Sequence, residues 1–268
     1  MDTKIYLILA IIIIASGCSE EQKSDYNAGV SIKNPDIADS TLRPNQKSVL
    51  NMKIINRNKG DTEINQENVS LYNSGAIEVI DGSKDCTPST IGSVTKDLVP
   101  KMSCEWKLKA PEKDYVKGFE SKESSIQIGV EYESSLGNSK AIKMDFQKVE
   151  DIQESSGKTR EISNEDIKTK ISYDNPMTLN SGSIEIESQN IGSGEVLGSG
   201  NGLSGGTLGY KFSPEIIECS KNTQRLIEGR TSFFCDVDVE TRGSRNLFFS
   251  TSYKYRKTKT IGIEVVNN

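Results

Sequence analysis

The 268-residue chain contains five cysteines and no histidine. A Ser-His-Asp or Cys-His arrangement cannot be assembled from it, and the commonest general base and transition-metal ligand is missing. The residues left with chemical potential are sulfur, carboxylate and glycine. They are Cys18, Cys86, Cys104, Cys219 and Cys235; Asp236, Asp238 and Glu240; and Gly200-x-Gly202-x-x-Gly205. Carboxylates at spacing two share one face of a strand, and their hard oxygens could contribute to a calcium site. The same alternation gives Cys235, Val237 and Val239 the inner face, so the acidic trio is expected on a solvated outer face. The glycines match the dinucleotide fingerprint, whose chemistry needs a strand before them and a helix after. Here Tyr210-Lys211-Phe212-Ser213-Pro214 follows, so an inter-strand loop is expected. Gly157-Lys158-Thr159 ends like a phosphate-binding loop, but Ile152 stands where that loop needs glycine. No catalytic residue, cofactor or metal site is expected.

The elements that would position these residues are strands. Leu50, Met52 and Ile54 alternate with Asn51 and Lys53; Met102, Cys104, Trp106 and Leu108 alternate with Ser103, Glu105, Lys107 and Lys109. Further strands are expected at Val69–Tyr72, Ala76–Ile80 and Ile126–Tyr132. Ile142, Met144 and Phe146 follow the turn Leu136-Gly137-Asn138-Ser139. The second half reads the same way, at Ile171–Tyr173, Ile184–Ile186, Leu208–Phe212, Phe233–Val239, Leu247–Tyr255 and Ile261–Val265. Asn58-Lys59-Gly60-Asp61 supplies a turn, with glycine and asparagine tolerating positive φ. Trp106 falls in the core by its phase. One ring of each pair Phe233-Phe234 and Phe248-Phe249 falls on the outer face, Phe234 with Phe249 or Phe248, where an inter-domain or edge contact is expected to cover it.

The second half repeats the first. VLNMKIINRNKGDTEI (Val49–Ile64) lies over SGSIEIESQNIGSGEV (Ser181–Val196), and CEWKLK (Cys104–Lys109) over CDVDVE (Cys235–Glu240). VEYE (Val130–Glu133) answers SYKY (Ser252–Tyr255), and KAIKM (Lys140–Met144) answers KTIGI (Lys259–Ile263), with offsets shortened by the first copy's insertion, Pro111–Glu123. Cys86 with Cys219 and Cys104 with Cys235 hold the same register. Four cysteines allow three pairings. If each copy is self-contained the bonds are Cys86–Cys104 and Cys219–Cys235, and loops of this length stabilise by about 3 kcal/mol each on the chain-entropy estimate. Each bridge would pin a loop onto the strand that carries Trp106 or Val237.

These features, Asn-x-Gly after an alternating strand, a Pro- and Ser-bearing loop and a late Tyr-rich strand, resemble the tandem immunoglobulin-like repeats of prokaryotic surface proteins. The CARDB-like repeats of archaeal exported proteins are similar to them. The resemblance implies seven-stranded β-sandwiches without catalytic residues, acting as spacers, adhesion units or partner-binding arms. The expected fold class is all-β. Two tandem immunoglobulin-like β-sandwich domains, 28–149 and 167–268, flank a polar linker, 150–166.

Ahead of them Ile5–Ile14 is apolar, closed by Ala15-Ser16-Gly17 and then Cys18. That is the form of a secretory signal peptide, too short and too abruptly followed by Ser19–Lys23 to span a membrane as a helix of about 20 residues. Ala15-Ser16-Gly17-Cys18 also resembles the lipobox of prokaryotic lipoproteins, which implies cleavage before Cys18 and a diacylglyceryl group on its thiol. The alternatives are a plain signal peptide or an uncleaved short anchor. The expected layout is a signal peptide at 1–17 and a lipidated tether at 18–27. Net charge is −5 with acids and bases interspersed, so nucleic acid is not an expected partner. The expectation is a lipid-anchored protein facing the extracytoplasmic side, at the cell surface or in the periplasm. It would act as a structural or interaction module toward another envelope or surface protein. The alternative function is capture of a small molecule, glycan or calcium between or on the β domains.

Overall fold

The computed structural model describes residues 29–58, 62–138, 140–198, 205–219 and 221–267. The expected signal peptide, Cys18 with its lipid, the tether, the turn residues Lys59, Gly60 and Asp61, Ser139, Gly200 and Gly202 lie outside them. The described chain is all-β, as its alternation requires. No helix among the described residues is long and apolar enough to cross a membrane.

The first half contributes β1 (Val30–Ile37), β2 (Thr41–Leu42), β3 (Lys47–Asn56), β4 (Ile64–Asn65), β5 (Val69–Asn73) and β6 (Glu78–Val79). It continues with β7 (Asp85–Thr87), β8 (Thr90–Ile91), β9 (Lys101–Lys109), β10 (Ser121–Gly137) and β11 (Ile142–Gln147). The second half contributes β12 (Ser156–Ser163), β13 (Ile167–Asn175), β14 (Met177–Thr178), β15 (Gly182–Asn190) and β16 (Glu195–Leu197). After these come β17 (Thr207–Ser213), β18 (Ile217–Cys219), β19 (Thr223–Arg225), β20 (Arg230–Val237) and β21 (Gly243–Val266). One sheet belongs to the first half, ordered β1-β3-β9-β6 with β7 also on β9. Another belongs to the second, ordered β12-β13-β15-β20-β18. A third, built around β11, β21, β10 and β5, takes strands from both. The stretch 150–166, expected as a polar linker, is therefore strand in good part: β12 pairs with β13 along its length.

Period-two burial explains the two outer sheets. Leu50, Met52, Ile54, Met102, Cys104, Trp106 and Leu108 are buried, while Asn51, Lys53, Ser103, Glu105 and Lys107 between them are exposed. The pairing register repeats with the sequence: Met52 opposes Cys104 in one half, and Ile184 opposes Cys235 in the other. Disulfides join Cys86 to Cys104 and Cys219 to Cys235, each between directly opposed residues of neighbouring strands. The segment that each bridge pins is thus a short strand, β7 or β18, rather than a loop.

The halves part from the tandem expectation at their last strands. Strand β21 runs unbroken for 24 residues, about 80 Å at ~3.3 Å per residue. Its end, Thr258–Val266, pairs with Ser121–Gly129 of β10, in the first half. Its start, Gly243–Leu247, pairs with Ile142–Phe146 of β11. Between these, Val130–Gly137 opposes Ser250–Lys257. The repeat-equivalent segments Lys140–Met144 and Lys259–Ile263 have changed places. The first lies against β13 and β14 of the second half, with Tyr173 Oη donating to the Lys143 carbonyl at 3.5 Å. The second lies against β2 of the first half, with Glu264 N–H donating to the Ser40 carbonyl at 2.9 Å. Each half is completed by the other's final strand.

The chain does not reverse after Leu136, where a turn is expected, nor does β21 break between Tyr255 and Ile261, for physical reasons that differ. At Leu136–Asn138 the chain jogs instead of turning: Gly137 still pairs with Ser250, and Ile142 pairs farther along the same strand with Leu247. Asn138 spans the jog: its N–H donates to the Phe249 carbonyl at 3.1 Å, its Nδ2 to the carbonyls of Lys140 at 2.7 Å and Leu247 at 3.2 Å. Its Oδ1 accepts from Phe249 N–H, so one side chain replaces the missing ladder. Arg256-Lys257-Thr258-Lys259-Thr260 contains no glycine, proline or asparagine to turn the chain, and its threonines favour extension.

Candidate functional site

The ribbon of β10 and β21 is clamped on both faces where the halves meet. On the inner face stand Tyr132 of β10 and Tyr253, Tyr255 and Lys257 of β21, the last three at spacing two on one side of the strand. The tyrosines are buried, and their rings approach to 5.8 Å (Tyr132 to Tyr255) and 6.1 Å (Tyr253 to Tyr255). Against them the second half brings Asn164, Glu165 and Asp166, at the entry to β13. Tyr132 Oη donates to Asp166 Oδ2 at 2.8 Å, and Asn164 Nδ2 donates to Tyr253 Oη at 2.6 Å. Lys257 Nζ lies 3.0 Å from Asp166 Oδ1 and 3.5 Å from Glu165 Oε2. The Asp166 side chain is 1% exposed and that of Lys257 12%. Burial raises the Asp166 carboxyl above the ordinary aspartate range against the pull of Lys257, and burial likewise raises all three tyrosines, with the Asp166 charge adding to it.

The Asn-x-Gly turn of the second copy closes this face. Asn190 Oδ1 accepts from Gly192 N–H and from Tyr255 Oη, and its Nδ2 donates to the Gly194 carbonyl. In the first copy Asn58 reaches the same relative position, donating to Thr62 Oγ1. The glycines of this turn are required by close approach. A Cβ on Gly194 would sit 2.2 Å from the Arg256 carbonyl oxygen, and one on Gly192 2.4 Å from Tyr255 Oη. Gly194→Ala should therefore cost about 1–3 kcal/mol as an overpacked site. A thermal melt checks this, with Gly262→Ala, whose Cβ meets nothing within 4 Å, expected near neutral.

The outer face of the ribbon carries Glu131 and Arg256, which are directly opposed. Arg256 Nε donates to Glu131 Oε1 at 3.0 Å and Lys254 Nζ lies 2.7 Å from Glu131 Oε2. Tyr72 of β5 donates to Glu131 Oε1 at 2.9 Å, and the Arg256 guanidinium stands over its ring at 4.4 Å. Arg256 also reaches Glu195 of β16 at 2.9 Å. One charge cluster thus joins β5 of the first half to β16 of the second. Tyr72 is pushed up to about 12 by partial burial and by Glu131.

The residues singled out by sequence are scattered. Trp106 is 3% exposed, in the core as expected. Asp236, Asp238 and Glu240 are exposed, alternating with buried Cys235, Val237 and Val239. Among the described residues no group of three potential ligands could hold a metal. Phe234 and Phe248 are the outward rings, 64% and 47% exposed, so no inter-domain or edge contact covers them. They belong to different sheets, on β20 and β21. The residues after the glycine-rich segment form β17, not a helix, and Gly157-Lys158-Thr159 lies in exposed β12. Beside the second half's own sheet, Lys168, Lys170 and Arg230 of that sheet with Arg225 of β19 line a groove of about 450 Å³, together with Glu187 and Ile227. Sequence reasoning passed over Asp166 and Lys257; the phase of Lys257 behind Tyr253 and Tyr255 was the available signal. No protein-family model matches the chain, and no curated protein sequence does either.

Proposed function

We propose that the chain is a membrane-anchored extracytoplasmic lipoprotein of the CARDB-like, immunoglobulin-like kind. Two β-sandwich units would act as one stiff structural or interaction module, without turning over a substrate. The observation that supports this is the ribbon, in which each half is finished by the other's last strand. A spacer must hold its ends apart, and a ribbon clamped on both faces resists bending where a bare linker would not. The lipid on Cys18 would set the near end at the membrane, leaving the far half to meet another envelope or surface protein. The two disulfides accord with an oxidising compartment.

Spin labels placed at exposed Lys107 and Lys158, one in each half, should give a single narrow distance distribution. A broad one would remove the spacer reading. The anchor is checked separately by the mass of the mature N-terminal peptide, which should carry a diacylglyceryl group on Cys18. The basic groove favours a second reading, capture of an anionic small molecule or glycan. A sulfated oligosaccharide that raises the melting temperature, with the gain lost in Arg230→Ala, would support it.

A further inference from the structure

We propose that Lys257 and Asp166 are joined by an autocatalytic isopeptide bond between Nζ and Cγ, with Glu165 moving the proton and Tyr132 holding the carbonyl oxygen. This stands whether or not the chain is anchored. The geometry that carries it is the contact of an amine with a carboxyl group in a nearly dry site. Lys257 Nζ is 3.0 Å from Asp166 Oδ1, which sets the amine directly beside the carboxyl it would attack. That contact lacks hydrogen-bond alignment, and Oδ1 accepts no directed hydrogen bond from any described group. The other oxygen, Oδ2, accepts from Tyr132 Oη at 2.8 Å, which fixes the carboxyl and leaves one oxygen as the departing group. Tyr132, Tyr253 and Tyr255 wall the site, with the Tyr255 ring centre 5.9 Å from Nζ. Gly29 of the first half lies over the carboxyls: an added Cβ would fall 3.5 Å from Glu165 Oε2 and 3.6 Å from Asp166 Oδ2.

The chemistry closes without a co-reactant. Ammonium and carboxylate exchange one proton to become amine and acid, an exchange favoured by the burial that raises the Asp166 carboxyl. Nζ then attacks Cγ, and charge gathers on Oδ2 under the Tyr132 hydroxyl. Glu165, 3.5 Å from Nζ, takes the proton the nitrogen sheds and returns it to Oδ1. The Cγ–Oδ1 bond breaks, one water leaves, and nothing is oxidised or reduced. Exclusion of water from Asp166, whose residue is 0% exposed, holds the amide against hydrolysis. Fixed opposition of the two groups supplies the effective concentration that condensation lacks in free solution.

The test uses the full chain, reduced, denatured and digested with trypsin. The peptide Glu161–Lys168 should appear linked to Lys257–Lys259, lighter than the two together by one water, with no cleavage after Lys257. Recovery of both peptides unlinked overturns the proposal, and needs no variant to fold. Lys257→Arg should return Glu161–Lys168 to its free mass while keeping the charge. Glu165→Gln, on a side chain 40% exposed, should fold normally and remain largely unlinked. Full linkage in that variant overturns the role given to Glu165.

Discussion

A chain ending at Lys257 is expected to lose the fold of its first half, the half farther from the cut in sequence, and to keep the core sheet of its second. The residues removed include Thr258–Val266, which pair with Ser121–Gly129 and carry Ile261, Ile263 and Val265 against the first half's core. Ile263 and Val265 are 2% and 0% exposed, and the neighbouring β2 loses its parallel partner. Removing three apolar side chains worth about 1.5–3 kcal/mol each, with nine ladder positions of β10, is comparable to a typical domain's whole stability of ~5–15 kcal/mol. Trp106, the sole tryptophan, is buried in the first half, so its emission should shift to that of an exposed indole. Backbone amides of β13, β15 and β20 should stay protected from hydrogen exchange, because their sheet contains no residue after Val237. Tandem self-contained units would give the reverse: exposed amides in the second half and an unchanged tryptophan. That result would refute the exchange of final strands.

The exchange has a kinetic consequence. Neither half can bury its core until the other's last strand arrives, so contacts of large sequence separation must form before either is stable. Ser121 meets Val266 across nearly the whole second copy. Loop closure over that distance costs more than a local hairpin, and folding slows as non-local pairing grows. Once formed, the ribbon makes the halves unfold together rather than one at a time.

Much of this architecture is legible in the residues, for reasons that mark where legibility stops. Period two fixes which side of β3, β9, β15 and β20 is buried, because each strand has one wet face and one dry one. The duplication fixes the disulfides, since equivalent cysteines oppose each other in the same register in both copies. The exchange is hidden because a strand's sequence records which face is buried and not which neighbour it pairs with. Lys140–Met144 and Lys259–Ile263 satisfy the same slot, and either can fill either. Leu136-Gly137-Asn138-Ser139 reads as a turn because Asn-containing tetrapeptides form turns, yet Asn138 can equally bridge a jog. Asp166 ends a charged segment, and Lys257 sits in a run of lysines and threonines, so both look solvated. Their burial comes from packing elements 91 positions apart, and local composition cannot carry that.

Glu131→Gln is expected to destabilise the protein by about 2–3 kcal/mol at neutral pH and by almost nothing near pH 2. Burial would raise this carboxyl. Hydrogen bonds from Lys254, Arg256 and Tyr72, with the charge of Arg256, outweigh burial and hold it at about 2 instead of 4.5. A depressed carboxyl binds fewer protons in the folded chain than in the unfolded one, so stability rises with pH between the two values. The contribution is complete above about 4.5 and is lost as pH falls toward 2. At ~1.4 kcal/mol per pH unit the shift corresponds to about 3 kcal/mol, trimmed because the side chain is 18% exposed. Glutamine removes the charge and leaves Arg256 with only exposed Glu195 as a charged partner in this cluster. Urea titrations of both proteins at pH 7, 5, 4 and 3 should show a difference that narrows through the acid range. A difference constant with pH would mean that Glu131 acts by packing. The loss should also loosen the join between Tyr72 of β5 and Glu195 of β16, broadening the inter-half distance distribution at neutral pH while each half keeps its own sheet.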